Sequence, residues 1–357
     1  MKSRVYFISL DTDASVEKKE QSLRMLLKES RILEQSIIKD SSVAVKMHFG
    51  EEGNTGFVSP GYIKIVLQEL KKITAKPFLT DSNTLYKGRR LDSKSHLALA
   101  EEHGFSDKTL GVPVKIEDET KPGSVVEVDL GGQFVKRAKI VKSFLEADAV
   151  IGIAHFKGHM MTGFGGALKN IGMGVASRKG KLEQHSSASP TVYADRCVGC
   201  GECIKFCPVD AISLVKNKAE IADGICIGCA TCIGVCPNGA IDVTWEQGAS
   251  KISQKMVEYT KAALLKKTGK CAFINFAIKI TKECDCLAKD DPRVCPDLGI
   301  FTSLDPVAID KACVDMANKI SGKDLFKELH PKRDWQLQLN YAEKIKLGTL
   351  DYELVKV

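Results

Sequence analysis

Along the chain, short apolar runs alternate with longer stretches of helical periodicity. Residues 4–10 (RVYFISL) and 42–49 (SVAVKMHF) read as buried strands, separated by a polar–apolar helical pattern from Val16 to about Leu33. A helix over about Tyr62 to Thr74, with Ile63, Ile65, Val66, Leu67 and Leu70 apolar, leads to a strand at Pro77 to Asp81. The rhythm continues through a helix at about Ser95 to His103, a strand at Val112 to Ile116, and a β excursion at Val125 to Leu130 that closes at Gly131-Gly132. A helix around Val135 to Leu145 and a strand from Ala149 to His155 follow. Beyond residue 250 the pattern predicts a basic amphipathic helix from Ile252 to Lys267, a strand at Cys271 to Ile280 and a short strand or loop at Leu298 to Leu304. Asp305-Pro306 then opens a helix running to about Ile320, and polar helices finish the chain. Strands alternating with helices predict an α/β fold, a largely parallel sheet with flanking helices.

One stretch breaks the rhythm. Cys197, Cys200, Cys203 and Cys207-Pro208 are followed by Cys226, Cys229, Cys232 and Cys236-Pro237, which is C-x2-C-x2-C-x3-C-P written twice. Three thiolates in one tight loop can each reach a different iron of a cubane, and the fourth serves the other cluster of a two-cluster ferredoxin. The motif therefore assigns Cys197, Cys200, Cys203 and Cys236 to one [4Fe-4S] cluster, and Cys226, Cys229, Cys232 and Cys207 to the other. Structural zinc wants two pairs of ligands, and neither zinc nor a disulfide framework explains a third Cys at the same spacing with Cys-Pro after it. Gly199, Gly201, Gly228 and Ala230 let backbone N–H groups approach the sulfurs. The reading is a small α+β two-cluster ferredoxin module at 191–245, inserted between a first part (1–190) and a second part (246–357) of one α/β domain. Its internal repeat is the only one in the chain.

Composition sharpens this picture at two points. Eight of the thirteen cysteines belong to the two sets, and oxygen-sensitive clusters suit a reducing compartment, so a cytoplasmic protein of an anaerobe is expected. No apolar stretch is long enough to span a bilayer, and the N-terminus does not read as a signal peptide. The formal charge is +7; residues 191–245 hold four Lys/Arg against six Asp/Glu, so this stretch is −2 and the rest +9. Two oxidised clusters at about −2 each bring the whole to roughly +3. The lysines are scattered and no nucleic-acid motif accompanies them, so nucleic acid is not an expected partner.

The densest chemistry outside the cysteine sets lies in residues 154–174, AHFKGHMMTGFGGALKNIGMG. A strand that runs into glycine-rich turns and a helix presents backbone N–H groups at the crevice above a parallel sheet, where phosphates and carboxylates bind. His155, Lys157, His159 and Lys169 are the candidate catalytic groups, with Gly163, Gly165, Gly166 and Asn170 as candidate cofactor-binding positions. The spacing matches neither G-x-G-x-x-G nor the P-loop, and no nucleotide follows from it. His48 with Glu51, and Asp81 with Asn83, lie at strand ends and can face the same crevice. Glu283-Cys284-Asp285-Cys286, with Cys295 and Asp297 after it, can ligate a metal or remain a set of reduced structural thiols.

The set KMHFGE (46–51), DSNTLY (81–86), HFKGHMMTGFGGALKNIGMG (155–174), CDC (284–286) and SLDPVAIDKACVD (303–315) resembles the family of the domain of unknown function 362, described as iron–sulfur centre proteins. The resemblance covers nearly the whole chain. It implies an α/β domain in which some members carry a two-cluster ferredoxin, and a shared pocket matching His48, Asp81, His155, Lys157, His159, Lys169, Asn170, Asp285 and Asp305. It implies no substrate. The expected function is that of an iron–sulfur electron-transfer protein or oxidoreductase component, relaying single electrons through two clusters to or from a ligand in the glycine-rich crevice. A flavin, or another phosphate- or carboxylate-bearing small molecule, is the candidate ligand, and a ferredoxin-dependent oxidoreductase or similar redox protein the candidate partner. The alternatives are a ferredoxin-like carrier with a non-catalytic docking domain, and a non-redox enzyme with structural clusters.

Overall fold

The computed structural model describes residues 2–73, 75–86, 88–185, 190–207, 209–226, 231–242 and 251–357. Eight strands form one sheet: β1 (Ser3–Ser9), β2 (Ser42–Lys46), β3 (Lys76–Asp81), β4 (Val114–Ile116), β5 (Ala149–His155), β6 (Cys271–Ala277), β7 (Gly299–Ser303) and β8 (Tyr352–Lys356). Their order is β8-β1-β7-β6-β5-β2-β3-β4. Seven strands run in one direction and β7 runs against them. The mostly parallel α/β sheet expected from the alternation of elements is present.

Strand alternation divides the core into two apolar layers. Ile151 and Ile153 of β5 face one side with Leu23, Leu26, Ile63 and Val66, from helices Val16–Ser30 and Pro60–Lys72. Val150 faces the other, with Ile171, Met256 and Ala308 from helices Ala167–Gly172, Ile252–Leu264 and Pro306–Ser321. Because successive side chains of a strand point to opposite faces, a sheet covered on both faces needs the near-continuous apolar runs seen here. Asp305 caps the last of these helices as its sequence predicts, accepting from the amides of Val307 at 2.8 Å and Ala308 at 3.1 Å.

Two elements differ from expectation. Residues 135–145 are not one helix: Arg137–Val141 is a strand paired antiparallel with Val125–Asp129, and a helix begins only at Lys142. Ala138 and Ile140 are buried while Arg137 is exposed, the period-2 pattern of a strand. The chain also ends in a strand after the helix Gln336–Lys344. β8 adds parallel to β1 and forms the edge of the sheet, with Val5 opposite Leu354; exposed Glu353 and Lys356 on this edge strand hide it among polar residues.

Among the described residues, none of 191–242 joins the large sheet. Thr191–Val192 pairs with Ile241–Asp242, and Ile212–Val215 pairs with Lys218–Ile221 through a tight turn at Lys216 and Asn217, both at positive φ. Short helices at Glu202–Lys205 and Thr231–Val235 complete the segment.

Glu258 ties the helix Ile252–Leu264 to the loop after Gly132. Its buried carboxylate accepts from the amides of Gln133 (2.9 Å), Phe134 (3.0 Å) and Val135 (2.6 Å), and from the Tyr341 hydroxyl (2.5 Å). An unsatisfied buried donor costs about 1–3 kcal/mol. Glu258→Ala should therefore lower the urea-unfolding free energy by about 3 kcal/mol or more, and Glu258→Gln, which keeps one acceptor oxygen, by less.

Candidate functional site

The chain reverses its direction of travel across the sheet between β2 and β5. From β2 it proceeds outward to β3 and β4; it then returns to β5, on the other side of β2, and moves through β6 and β7. Loops leave these two neighbouring strands in opposite directions, which makes their C-terminal ends the switch point where α/β sheets commonly place a ligand crevice. Asn170 spans it, donating to the carbonyls of Lys46 on β2 and Ile153 on β5, each at 3.1 Å. Its side-chain oxygen accepts from Lys46 Nζ at 3.0 Å.

Lys46 is 1% exposed and meets Asp81 Oδ1, at the end of β3, at 3.0 Å. Arg90 lies 3.8 Å from the other oxygen and pairs with Glu51 at 3.0 Å. Burial disfavours the Asp81 charge, but the Lys46 ammonium and the Arg90 guanidinium beside it prevail and hold its carboxyl far below the ordinary range. Arg90 also donates to the Tyr86 hydroxyl, which lies 3.2 Å from Glu51 and 3.1 Å from the Cys286 carbonyl. His48 accepts from the Gly50 amide at 2.7 Å through Nδ1, and its Nε2 is buried without a protein partner. Burial, then Arg90, pushes its pKa well below the usual histidine range, so the ring is neutral.

From the other direction comes the turn carrying Cys284, Asp285 and Cys286. Asp285 points inward: its carboxylate meets His155 Nδ1 at 3.0 Å and Lys157 Nζ at 2.7 Å. His155 Nε2 faces the Ile278 carbonyl at 2.8 Å. Both ring nitrogens of His155 thus have partners, one of them the Asp285 carboxylate. The flanking cysteines stand near His159 and Lys169. Lys169 Nζ lies 3.4 Å from Cys284 Sγ, and a ring nitrogen of His159 and the two sulfurs lie within 4.8 Å of one another. A hydrogen bond from Cys286 pulls Cys284 well below the ordinary thiol range, with Lys169 and Lys157 assisting against burial; Cys286 is pushed up in return. Burial pulls Lys169 down, but the two sulfurs outweigh it and raise its pKa. Burial keeps His159 neutral.

The glycine-rich segment has another form than a phosphate cradle. Lys157–His159 and Gly163–Gly165 pair as a small hairpin. At the start of helix Ala167–Gly172 the amides of Ala167 and Leu168 are bound by the buried Asp310 carboxylate at 2.7 and 2.9 Å. Gly163, at φ +82°, lies against Trp335; Gly165 lies against the Lys169 stem, and Gly166 against Asp310. Their lack of a side chain answers close packing.

Of the residues singled out in the sequence, His48, Asp81, Lys157, His159, Lys169 and Asn170 converge on this crevice. Cys295 and Asp297 do not join it: Asp297 accepts from the Lys279 amide and pairs with Arg293. Lys46, Arg90 and Tyr86 belong to the site without having been picked out. A lysine ending the apolar run SVAVK is the available signal for Lys46, and Tyr86 closes the DSNTLY motif; Arg90 arrives from an irregular loop and carries none.

In residues 191–242, Cys197, Cys200, Cys203 and Cys236 line one cavity together. Backbone N–H groups reach three sulfurs: Ala219 to Cys197 at 3.4 Å, Ala240 to Cys236 at 3.2 Å and Ala211 to Cys207 at 3.2 Å. The last two repeat one geometry, an amide four residues after the Cys of each Cys-Pro. The described cysteines of the two sets are free thiols, a composition compatible with metal binding. Cys229, with Pro208, Gly228 and Ala230, lies outside the described residues.

A family model described as a domain of unknown function (DUF362) matches residues 43–315. Among solved structures, a crystal structure of a Thermotoga maritima protein aligns at 14% identity and a TM-score of 0.44, over 88% of this chain and 60% of that one. The lactate racemase apoprotein from Thermoanaerobacterium thermosaccharolyticum aligns at 14% identity and a TM-score of 0.37, over 77% of this chain and 51% of that one. The chain thus spans between half and three fifths of the length of these two structures. No curated protein sequence matches it significantly.

Removing Asp81 strands a buried lysine. Asp81→Asn should cost about 3–5 kcal/mol at pH 7, the usual penalty for breaking a buried pair. Because the folded-state value of Asp81 lies below the unfolded one, its contribution is present above the ordinary carboxylate pKa of about 3.9 and is lost as pH falls below it. The difference between wild type and variant, measured by denaturant unfolding, should shrink on acidification through that range.

Proposed function

The chain belongs to the DUF362 family, and on that footing we propose that it is an iron–sulfur electron-transfer protein or the electron-handling component of an oxidoreductase. Two [4Fe-4S] clusters, held by Cys197, Cys200, Cys203 and Cys236 and by Cys226, Cys229, Cys232 and Cys207, would pass single electrons to or from chemistry at the crevice. One observation carries this reading. Cys236 of the second set shares a cavity with Cys197, Cys200 and Cys203 of the first, the crossed grouping that the doubled motif demands. The amides of Ala219, Ala240 and Ala211 support it, since N–H donors to cysteine sulfur stabilise thiolate ligands and tune a cluster's potential.

Residues 191–245 are read as an inserted module. Their two ends pair side by side, at Thr191–Val192 and Ile241–Asp242, which allows the segment to enter and leave the body at one place. Val198, Phe206 and Ile225, each more than half exposed, suit the docking face of a redox partner. The buried charges at the strand ends favour a chemically active body over a passive scaffold. A flavin phosphate at residues 163–168 would have to displace Asp310 from its amides, so the crevice ligand is sought instead beside Lys157, Lys169 and Cys286. No helix among the described residues is long and apolar enough to cross a membrane.

Crossed ligation is tested by pairs of substitutions in protein reconstituted without oxygen. Cys197→Ala with Cys236→Ala removes two ligands from one cluster and should leave about four irons per chain in the other, a [4Fe-4S] centre. Cys226→Ala with Cys236→Ala takes one ligand from each and should impair both. Uncrossed ligation predicts the reverse.

A further inference from the structure

Cys284 and Cys286 belong to neither ferredoxin set, and the proposed electron path gives their sulfurs no role as ligands. They occupy a turn that is held before anything binds. The Leu287 amide donates to the Cys284 carbonyl at 3.1 Å, Asn54 donates to the carbonyls of Leu287 and Lys289 at 3.3 and 2.6 Å, and the Tyr86 hydroxyl meets the Cys286 carbonyl. Asp285 is turned away from its neighbours to pair with His155 and Lys157, which sends the sulfurs on either side toward His159. Gly158 makes room for this turn, since a side chain there would strike the Lys282 carbonyl. His159 is itself fixed: its Nδ1 accepts from the amides of Met161 and Thr162 at 3.3 and 3.2 Å and lies 2.9 Å from the Thr162 hydroxyl, which donates to the Phe164 carbonyl at 2.8 Å. Binding a metal through Nε2 therefore requires the ring proton to sit on Nδ1, against the Thr162 oxygen, in place of the two long amide contacts. A metal-bound histidine ordinarily has its other nitrogen held in this way.

We propose that His159, Cys284 and Cys286 form a metal site separate from the two ferredoxin cysteine sets, taking one divalent transition metal of the zinc class. Two thiolates and an imidazole are a soft mononuclear donor set and supply too few thiolates for a cubane. Tetrahedral zinc at its usual bond lengths places its ligand atoms about 3.5–4 Å apart, so a group already within 4.8 Å needs only a small contraction. Two thiolates neutralise the dication. The Lys169 ammonium, 3.4 Å from Cys284 Sγ, then leaves the site with a positive balance, and the fourth position falls to water or to an anionic oxygen such as a carboxylate. Three protein ligands with one exchangeable position is the arrangement of catalytic zinc.

The assignment does not depend on the clusters, and its test separates the two. Full-length protein reconstituted with iron and sulfide without oxygen is incubated with Zn(II), freed of loose metal by gel filtration, and analysed for zinc and iron and by zinc K-edge absorption. The expected result is one zinc per chain beyond the iron, with two sulfurs at about 2.3 Å and nitrogen or oxygen ligands at about 2.0 Å. Cys284→Ser with Cys286→Ser should bring zinc to background with the iron count unchanged. His159→Gln, a milder change, should do the same if the double variant fails to fold. Absence of retained zinc, zinc surrounded by four sulfurs, or zinc retained in a folded variant would each overturn the assignment. A low iron count beside zinc with two sulfurs would remove only the cluster reading.

Discussion

The placement of a buried positive charge at the sheet's reversal point governs this structure. Lys46 ends a strand that is apolar up to that position, and nothing in a parallel sheet covered on both faces could hold an ammonium there without Asp81 and Asn170. Those partners come from the end of β3 and from the helix Ala167–Gly172, so the pairing fixes three separate pieces of chain around one crevice. Asn170 adds the carbonyls of Lys46 and Ile153, which lie on the two strands that diverge there. Geometry and electrostatics thus single out the same place.

Asp285 repeats the same device one step further along the crevice. A carboxylate with Lys157 on one side and His155 on the other is anchored firmly enough to set the direction of its two neighbours. The functional weight of Cys-Asp-Cys then falls on the sulfurs. The residues proposed to meet a ligand or metal are few: Lys157, His159, Lys169, Cys284 and Cys286. His155, Asp310 and the glycines of 163–166 support them through packing and hydrogen bonds. The proposed clusters lie in a segment whose described strands pair only with one another, which fits the proposed division into a body with polar strand ends and an inserted segment organised by cysteine spacing.

Much of this was legible in the sequence where one local rule sufficed. The runs that became β1, β2, β3, β5 and β6, the Asp305 cap and the doubled cysteine motif each follow from spacing alone. The strand Arg137–Val141 is ambiguous in the sequence because Val135, Ala138 and Ile140 also suit a helix face, and only pairing with Val125–Asp129 decides between them. β8 was hidden because an edge strand may expose both faces. The crevice was legible as a region but not as a mechanism. Six glycines suggested open amides, whereas Asp310, about 140 residues away in sequence, fills them. Asp285 is separated from His155 by 130 positions, and no local pattern relates the two. Side chains that meet across the sheet's reversal are brought together by topology, which is the part of the fold that periodicity does not encode.

The central claim, that the segment 191–245 carries two one-electron centres, is tested most directly by electron paramagnetic resonance. Protein reconstituted without oxygen and fully reduced with dithionite should give a signal integrating to about two spins per chain, broadened by interaction between two reduced [4Fe-4S] clusters. A signal from a single isolated cluster, or protein whose cysteine sets hold zinc and accept no electrons, would contradict the account.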